Sequence, residues 1–151
     1  MIRWLEYTDL SKEYFELLEQ LSKTDFTLRN GIDQSFIDKI WAEYMNQPNK
    51  YVVVYQNKKH PECPLQVIGT ASVLIEYKML HYGSKIGHIE DVVVDKCGRG
   101  MNIGKQMIDK CVELCRKQNC YKIVLECSDE NVPYYEQFGF NKHDNSMRLD
   151  L

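Results

Sequence analysis

The stretch Gly87–Lys117, "GHIEDVVVDKCGRGMNIGKQMIDKCVELCRK", joins three local patterns. A Val-rich segment runs into a short turn that holds Gly98, Arg99 and Gly100, and a long amphipathic segment follows. The apolar positions of that last segment repeat at helical spacing: Ile103, Met107, Cys111, Leu114 and Cys115. The stretch therefore predicts a strand, a glycine turn and an amphipathic helix, in that order.

A glycine turn that opens a helix is a good place to bind an anion. The first N–H groups of a helix have no intrahelical partner, and the helix dipole adds partial positive charge there. Gly100 and Gly104 carry no Cβ that would obstruct a ligand, and Arg99 and Lys105 add cationic donors. The turn therefore suits a phosphate or diphosphate, although the residues alone equally allow a plain strand-to-helix turn.

Two familiar phosphate motifs do not fit this turn. A Walker A loop needs Ser or Thr after its Gly-Lys pair, and Gln106 stands there. The dinucleotide fingerprint GxGxxG would place its third glycine at the position of Ile103. Any nucleotide bound here would be held in a different way.

The rest of the chain predicts one domain, residues 1–151, of the α/β (α+β) class. Helices are expected after a cap at Asp9 or Ser11, after a cap at Asp33, over about 102–118, and around Pro133 with a stop at Gly139. Strands are expected at 2–7, 51–55, 66–78, 85–94, 121–127 and 145–150. The order predicts a sheet that is antiparallel early and parallel around the long helix.

Composition narrows the class of protein. The net charge of -3 provides no general basic field for nucleic acid. No apolar run approaches the roughly 20 residues that a membrane span needs, and the start lacks the order of a signal peptide. We expect a soluble cytosolic protein.

The six cysteines are expected to be thiols, because disulfides are rare in the cytosol. Cys111 and Cys115 lie four apart on the predicted helix, so a metal pair is conceivable. Both fall on its apolar stripe, which favours buried structural thiols.

"RGMNIG", Arg99–Gly104, is similar to the Q/R-x-x-G-x-G/A diphosphate turn of the GNAT superfamily of N-acetyltransferases. Asn102 stands where the middle glycine is usual, and Asn tolerates left-handed backbone. Together with "KMLH", "GHIEDVVV", "CYKIVLEC" and "ENVPYYEQFGF", the turn resembles the glucosamine-6-phosphate N-acetyltransferase family. The resemblance is dense from about 67 to 140 and loose at both ends.

The resemblance implies a mixed, mostly antiparallel sheet, split in a V around acetyl-CoA and flanked by helices. It implies direct attack of the 2-amino group of D-glucosamine 6-phosphate on the thioester. The products would be N-acetyl-D-glucosamine 6-phosphate and CoA, a step in UDP-N-acetylglucosamine biosynthesis. It also implies a cytoplasmic homodimer without a metal, nucleic acid or membrane.

Charged residues interrupt two of the predicted strands. Alternation places Lys122 and Glu126 on one face of the strand 121–127, and Glu90 and Asp91 are adjacent in an apolar strand. The residues alone allow a half-exposed sheet in which these charges are solvated or paired. The resemblance instead assigns Glu126 to the sugar amine and its proton, and Lys122 to the 6-phosphate.

The resemblance extends to further residues by position. The catalytic set is Glu126, Tyr135 and Asp91, with Tyr135 meeting the CoA sulfur. The acetyl-CoA set is Val92, Val93, Val94, Arg99, Gly100, Met101, Asn102, Ile103, Gly104, Asn131 and Tyr135. The sugar-phosphate set is Ser22, Lys78, Met79, Leu80, His81, Glu90, Asp91, Lys122, Glu126 and Arg148. Tyr134 and Phe138, four apart on the short helix, are expected to be a core pair instead.

Two other functions compete with this interpretation. One is a GNAT acetyltransferase for another small amine or a protein N-terminus, which gives no reason for the "KMLH" and "YKIVLE" segments. The other is a non-catalytic acyl-CoA-binding module, which needs the glycine turn but neither Glu126 nor Tyr135.

Overall fold

The computed structural model describes residues 1–21, 31–58 and 63–150. Its centre is one five-stranded sheet in the order β1-β2-β3-β4-β5. The strands are β1 (Ile2–Trp4), β2 (Lys50–Gln56), β3 (Val67–Tyr77), β4 (Lys85–Val94) and β5 (Cys120–Leu125). The first three pairings are antiparallel, and β4 pairs with β5 in parallel. The predicted mixed sheet, parallel around the long helix, is confirmed.

The helices are α1 (Lys12–Glu19), α2 (Gln34–Met45), a four-residue turn α3 (Leu80–Gly83), α4 (Ile103–Lys117) and α5 (Val132–Glu136). Ser11 caps α1 by accepting from the N–H of Tyr14 at 3.3 Å, and Asp33 caps α2 through the N–H of Phe36 at 2.8 Å. Among the residues that the structure describes, no helix is both long and apolar enough to cross a bilayer.

Helix α4 covers one face of the sheet. Its stripe of Ile103, Met107, Ile108, Cys111 and Cys115 is buried. It packs on the inward positions of β3, which are Ala71, Val73 and Ile75. A Cβ at Gly87 would collide with the Cys115 sulfur, so β4 and the helix approach as closely as a bare backbone allows. This close contact fixes the end of α4 against the start of β4.

Helices α1 and α2 cover part of the opposite face. Leu10, Tyr14 and Leu17 form a second buried cluster with Val52, Val54, Val67 and Val93. The Tyr14 hydroxyl lies 3.4 Å from the Thr70 hydroxyl, which donates to the carbonyl oxygen of Val53. The two apolar clusters thus lie on opposite sides of the central strands.

The first strand is shorter than predicted, because a buried carboxylate turns the chain. Asp9, only 2% exposed, accepts two hydrogen bonds from the Arg3 guanidinium at 2.6 Å. It also accepts from the N–H of Glu6 at 2.8 Å. The prediction of a strand over 2–7 is therefore wrong beyond Trp4, where a 3-10 turn over Tyr7–Asp9 follows.

The prediction of six thiols is wrong for two of them. Cys63 and Cys97 form a disulfide, with their Cα atoms 5.9 Å apart. It joins the β2–β3 connection to the 3-10 turn Lys96–Gly98, two segments that only the folded sheet brings together. Cys111 and Cys115 are buried thiols, as predicted, and burial raises the pKa of each to about 12. A protonated core thiol is a poor metal ligand.

The predicted last strand, 145–150, is also wrong. Residues 141–150 form no helix or strand, and each is exposed. Alternating residues form a strand only where they pair with a neighbouring strand, and the tail pairs with no strand of the described residues, although the outer edge of β5 is open.

Candidate active site

Strands β4 and β5 separate halfway along β4. They pair from Lys85–Cys120 to Ile89–Leu125, and β4 then continues to Val94 beside β3 alone. In the ranges 1–21, 31–58 and 63–150, no strand pairs with the other edge of Val92–Val94. The parting forms the expected V, and it leaves a strand edge to which a peptide-like ligand could pair.

A β-bulge lies where the two strands part. Thr70 pairs with Val93 and Ser72 with Glu90, so Asp91 and Val92 share one position opposite β3. Asp91 takes left-handed backbone, φ 52°. Both Glu90 and Asp91 are exposed. The bulge explains this, because it breaks the alternation that would bury one of two adjacent carboxylates.

One face of the sheet at this end is polar. Because Ile89 and Ile123 pack towards α4, their alternating neighbours point to the other side. This polar face carries Glu76, His88, Glu90, Lys122 and Glu126, with Leu74, Ile86 and Val124 between them. Glu126 is exposed just after β5 and accepts a hydrogen bond from the Ser146 hydroxyl at 2.7 Å. This face thus groups Glu90, Glu126 and Lys122, three of the four charged residues that interrupt the predicted strands.

The sequence analysis missed Glu76 and His88. The His88 Nε2 atom lies 2.8 Å from the Glu76 carboxylate, which also accepts from the Lys78 ammonium. The hydrogen bond from Lys78, followed by that from His88, lowers the pKa of Glu76. A Glu and a His at same-face positions of otherwise apolar strands were the available signal. Lys78, predicted to bind phosphate, is held in this network.

The other predicted sugar-phosphate residues that the structure describes lie in the hairpin that joins β3 to β4 and in the C-terminal tail, residues 141–150. Met79 and Leu80 are 99% and 66% exposed, and His81 has left-handed backbone with its ring 5.1 Å from that of Tyr121. Arg148 is exposed and paired with Asp150 at 2.6 Å, a partner that does not belong to the polar face. Ser22 lies outside the described residues.

The glycine turn adopts the backbone that its sequence requires. Gly100 has φ 81° and Asn102 has φ 56°, both in the left-handed region. Asn102 is the N-cap residue of α4, so asparagine replaces the usual glycine in the way expected. Arg99 and Met101 are exposed, while the Ile103 and Val93 side chains are buried. Those two could meet a ligand only through their main chains.

Helix α5 presents Tyr135 beside the start of α4. Its ring packs against the α4 cluster, and burial, with smaller contributions from Tyr134 and Cys127, raises the pKa of its phenol to about 12. Tyr134 and Phe138 form the predicted pair, with ring centroids 5.1 Å apart. Asn131 lies exposed at the start of this helix.

A pocket of about 230 Å³ lies between α1, α2 and the sheet. Its wall includes Tyr14, Trp41, Thr70, Ser72 and Asp91. One of the bulge carboxylates is therefore reachable from the side of the sheet opposite α4.

Known proteins share this sequence and this fold. A glucosamine 6-phosphate N-acetyltransferase of Arabidopsis thaliana is 34% identical over 146 residues, 97% of this chain and 93% of its own. One of Trypanosoma brucei brucei is 44% identical over 86 residues, 57% and 58% of the two chains. The crystal structure of the Arabidopsis thaliana glucosamine-6-phosphate N-acetyltransferase superposes with a TM-score of 0.86, covering 99% of this chain and 97% of that one at 33% identity.

The family model described as "Acetyltransferase (GNAT) family" matches residues 6–140. That range contains the bulge, the parted strands and the glycine turn, together with Tyr135. The chain therefore belongs to the GNAT acetyltransferase family.

Proposed function

We propose that this protein transfers the acetyl group of acetyl-CoA to the 2-amino group of D-glucosamine 6-phosphate. The observation that carries the proposal is the parting of β5 from β4 after Ile89. It leaves the edge of Val92–Val94 open between the glycine turn and the carboxylates at Glu90, Asp91 and Glu126. The relatives of matching length have this activity in their names.

Acetyl-CoA fits the turn and the open edge together. The diphosphate would lie on the N–H groups from Arg99 to Gly104, where the dipole of the 15-residue helix α4 favours negative charge. The pantetheine arm contains amides and would pair with Val92–Val94 as an added strand does. Asn131 and Tyr135 would line the far side.

Acetyl transfer from a thioester needs a neutral amine, a stabilised oxyanion and a proton for the departing thiolate. Glu126 would orient the ammonium group and accept its proton, since it is exposed and its described hydrogen bond comes from the exposed residue Ser146. Asp91 would hold the sugar. The N–H of Val92 would meet the carbonyl oxygen, and the neutral Tyr135 phenol would donate to the sulfur.

The sugar phosphate would be held by cations around the polar face. Lys122 lies in β5, on the same face as Glu126. Lys78 and His81 belong to the hairpin beside it, with Met79 and Leu80 between them. Arg148 would have to exchange Asp150 for the phosphate.

A homodimer is part of the proposal. Large apolar side chains are exposed on the hairpin and the tail: Tyr77, Met79, Leu80, Tyr82, Met147 and Leu149. A second copy would cover these side chains and bring its own hairpin to the site. Light scattering that gives a monomer mass at all concentrations would contradict it. The proposal also includes a cytoplasmic location and a role in UDP-N-acetylglucosamine synthesis.

The deciding experiment measures CoA release with four acceptors: D-glucosamine 6-phosphate, unphosphorylated glucosamine, spermidine and a peptide with a free N-terminus. We expect efficient release with the first alone. Equal rates with glucosamine would contradict phosphate recognition. A preference for spermidine or the peptide would establish the other acetyltransferase function, and tight CoA binding without transfer would establish a binding module.

A further inference from the structure

We infer that Tyr134 is a positioning residue that couples α5 to the glycine turn. A Cβ at Gly104 would collide with the Tyr134 hydroxyl, and the next atoms, Tyr134 Cζ and Val94 Cγ2, would lie at 3.4 and 3.8 Å. The hydroxyl therefore takes the space that any side chain at position 104 would need. A side chain at position 104 would therefore have to displace Tyr134, whether or not a ligand is bound.

The contact lies between two parts of the proposed site. Gly104 is in the first turn of α4, at the end of the glycine turn. Tyr134 is in α5, immediately before Tyr135, and the two rings meet edge-on with centroids 5.2 Å apart. A displacement at Gly104 would therefore pass through Tyr134 to the phenol that is proposed to protonate the thiolate.

Neighbouring contacts support the same junction. The Lys105 ammonium lies 5.9 Å from the ring centroid of Phe138, the T-shaped partner of Tyr134. Burial, with a contribution from the Asp109 carboxylate on α4, raises the pKa of Tyr134. The hydroxyl thus remains neutral where α5 meets the first two turns of α4.

The inference rests on the proposed function, and a double-mutant cycle tests it. The proteins are the wild type, Gly104→Ala, Tyr134→Phe and the double variant. The readouts are the CoA dissociation constant by calorimetry, kcat and KM for D-glucosamine 6-phosphate, and Tm. Gly104→Ala should lower the affinity for CoA and kcat by about tenfold each, because the new methyl group overpacks the junction. A tenfold loss corresponds to about 1.4 kcal/mol.

The double variant should recover most of that loss, to within about threefold of Tyr134→Phe, because the nearest remaining ring atom would be 3.4 Å from the new methyl group, an ordinary contact. An equal loss in both backgrounds would overturn the inference. It would indicate that position 104 needs glycine for the approach of the ligand and not for contact with Tyr134. Recovery of Tm without recovery of kcat would also overturn it, by reducing the contact to packing.

A second cycle keeps the inference testable if Gly104→Ala does not fold. Tyr134→Ala should lower kcat at saturating acetyl-CoA by about tenfold. In a Tyr135→Phe background the same change should cost less than about twofold, because Tyr134 acts through Tyr135. Additive losses in kcat would overturn the positioning role.

A matched control and an acceptor-free readout separate this inference from the proposed function. Gly87→Ala collides with Cys115 at the other end of α4, so its loss of Tm should not be recovered by Tyr134→Phe. A wild type that binds CoA but leaves the sugar phosphate unacetylated contradicts the proposed acceptor, and the CoA cycle still decides the coupling. A wild type that binds no CoA overturns both.

Discussion

The Ser72 hydroxyl lies 3.2 Å from a carboxylate oxygen of Asp91 and, at the same distance, from the carbonyl oxygen of Glu90. It therefore ties β3 to both residues of the bulge. Asp91 has left-handed backbone, which costs a non-glycine residue free energy, and the hydrogen bond from Ser72 helps to hold it there. The orientation of the carboxylates at the parted strands thus depends on a serine that is almost fully buried in the neighbouring strand.

We expect Ser72→Ala to weaken acceptor use. Loss of a hydrogen bond worth about 1 kcal/mol should lower kcat/KM for D-glucosamine 6-phosphate about fivefold, with the CoA dissociation constant unchanged. Steady-state kinetics and calorimetry measure the two. Ser35→Ala, at an exposed position of α2, is the control and should change neither. An unchanged kcat/KM in Ser72→Ala would separate the serine from catalysis.

Asn102 offers a test of the glycine turn. Its φ of 56° suits glycine at least as well as asparagine, so Asn102→Gly should bind CoA within about twofold of the wild type. Asn102→Val places a β-branched side chain in left-handed backbone and should weaken binding about tenfold or more. Calorimetric titration with CoA checks both, and equal affinity of the two variants would contradict the role of this backbone geometry.

Ionisation of Tyr135 should not lower kcat at any pH below 10. Because burial raises its pKa to about 12, the phenol stays protonated throughout that range. Tyr135→Phe should therefore lower kcat by the same factor at each pH from 7 to 10, by about tenfold to a hundredfold. A factor that shrinks steadily towards pH 10 would show that the phenol ionises earlier.

The same shift has a consequence for stability. In the unfolded chain a tyrosine loses its proton near pH 10, whereas folded Tyr135 keeps it to about pH 12. Its contribution to the free energy of unfolding is therefore complete below pH 10 and declines as the pH rises from 10 to 12. Urea unfolding across that range should show a smaller decline in Tyr135→Phe. Tyr14→Phe, whose phenol is also shifted to about 12 by burial, should show the same, with an unchanged pH profile of kcat.

Glu126→Gln should separate catalysis from folding. The carboxylate is exposed and its described hydrogen bond comes from Ser146, so Tm should change by less than about 2 °C. Removal of a group that accepts the amine proton should lower kcat about a hundredfold. Glu16→Gln, in an exposed ion pair with Lys12 on α1, is the matched control and should retain full activity. A large fall in Tm with Glu126→Gln would indicate a structural carboxylate instead.

The Cys63–Cys97 bond predicts a stability that depends on redox conditions. It closes a sequence separation of 34 residues, and reduction should cost about 2–4 kcal/mol through the unfolded chain. Thermal unfolding with and without a phosphine reductant measures this. Cys63→Ser should unfold at the temperature of the reduced wild type, and the reductant should not change its Tm. Six titratable thiols in the unreduced, denatured protein would contradict the bond.

Much of the fold could be predicted from local sequence. The stripe of α4, the cap at Asp33 and the alternation in β5 each depend on residues within a few positions of one another. The left-handed Asn102 was likewise anticipated from its place in the turn. These features concern backbone geometry, which neighbours in the chain largely determine.

Long-range contacts decided what the sequence could not. The bond between Cys63 and Cys97 and the pair Arg3–Asp9 required the folded chain. The strand predicted at 145–150 was wrong for the same reason, since alternation cannot reveal whether a segment pairs with a strand elsewhere in the fold. The network of Glu76 and His88 depends on the register of β3 against β4.

The sequence by itself determined the order of strands and helices from β1 to α5, the short α3 excepted, together with the glycine turn and the residue types that acetyl transfer needs, because spacing along the chain encodes each of them. Only the tertiary structure decided where β5 leaves β4, how the bulge exposes two adjacent carboxylates, and which atom fills the space beside Gly104. These are relations between segments that lie far apart in sequence, and the packing of the folded chain fixes them.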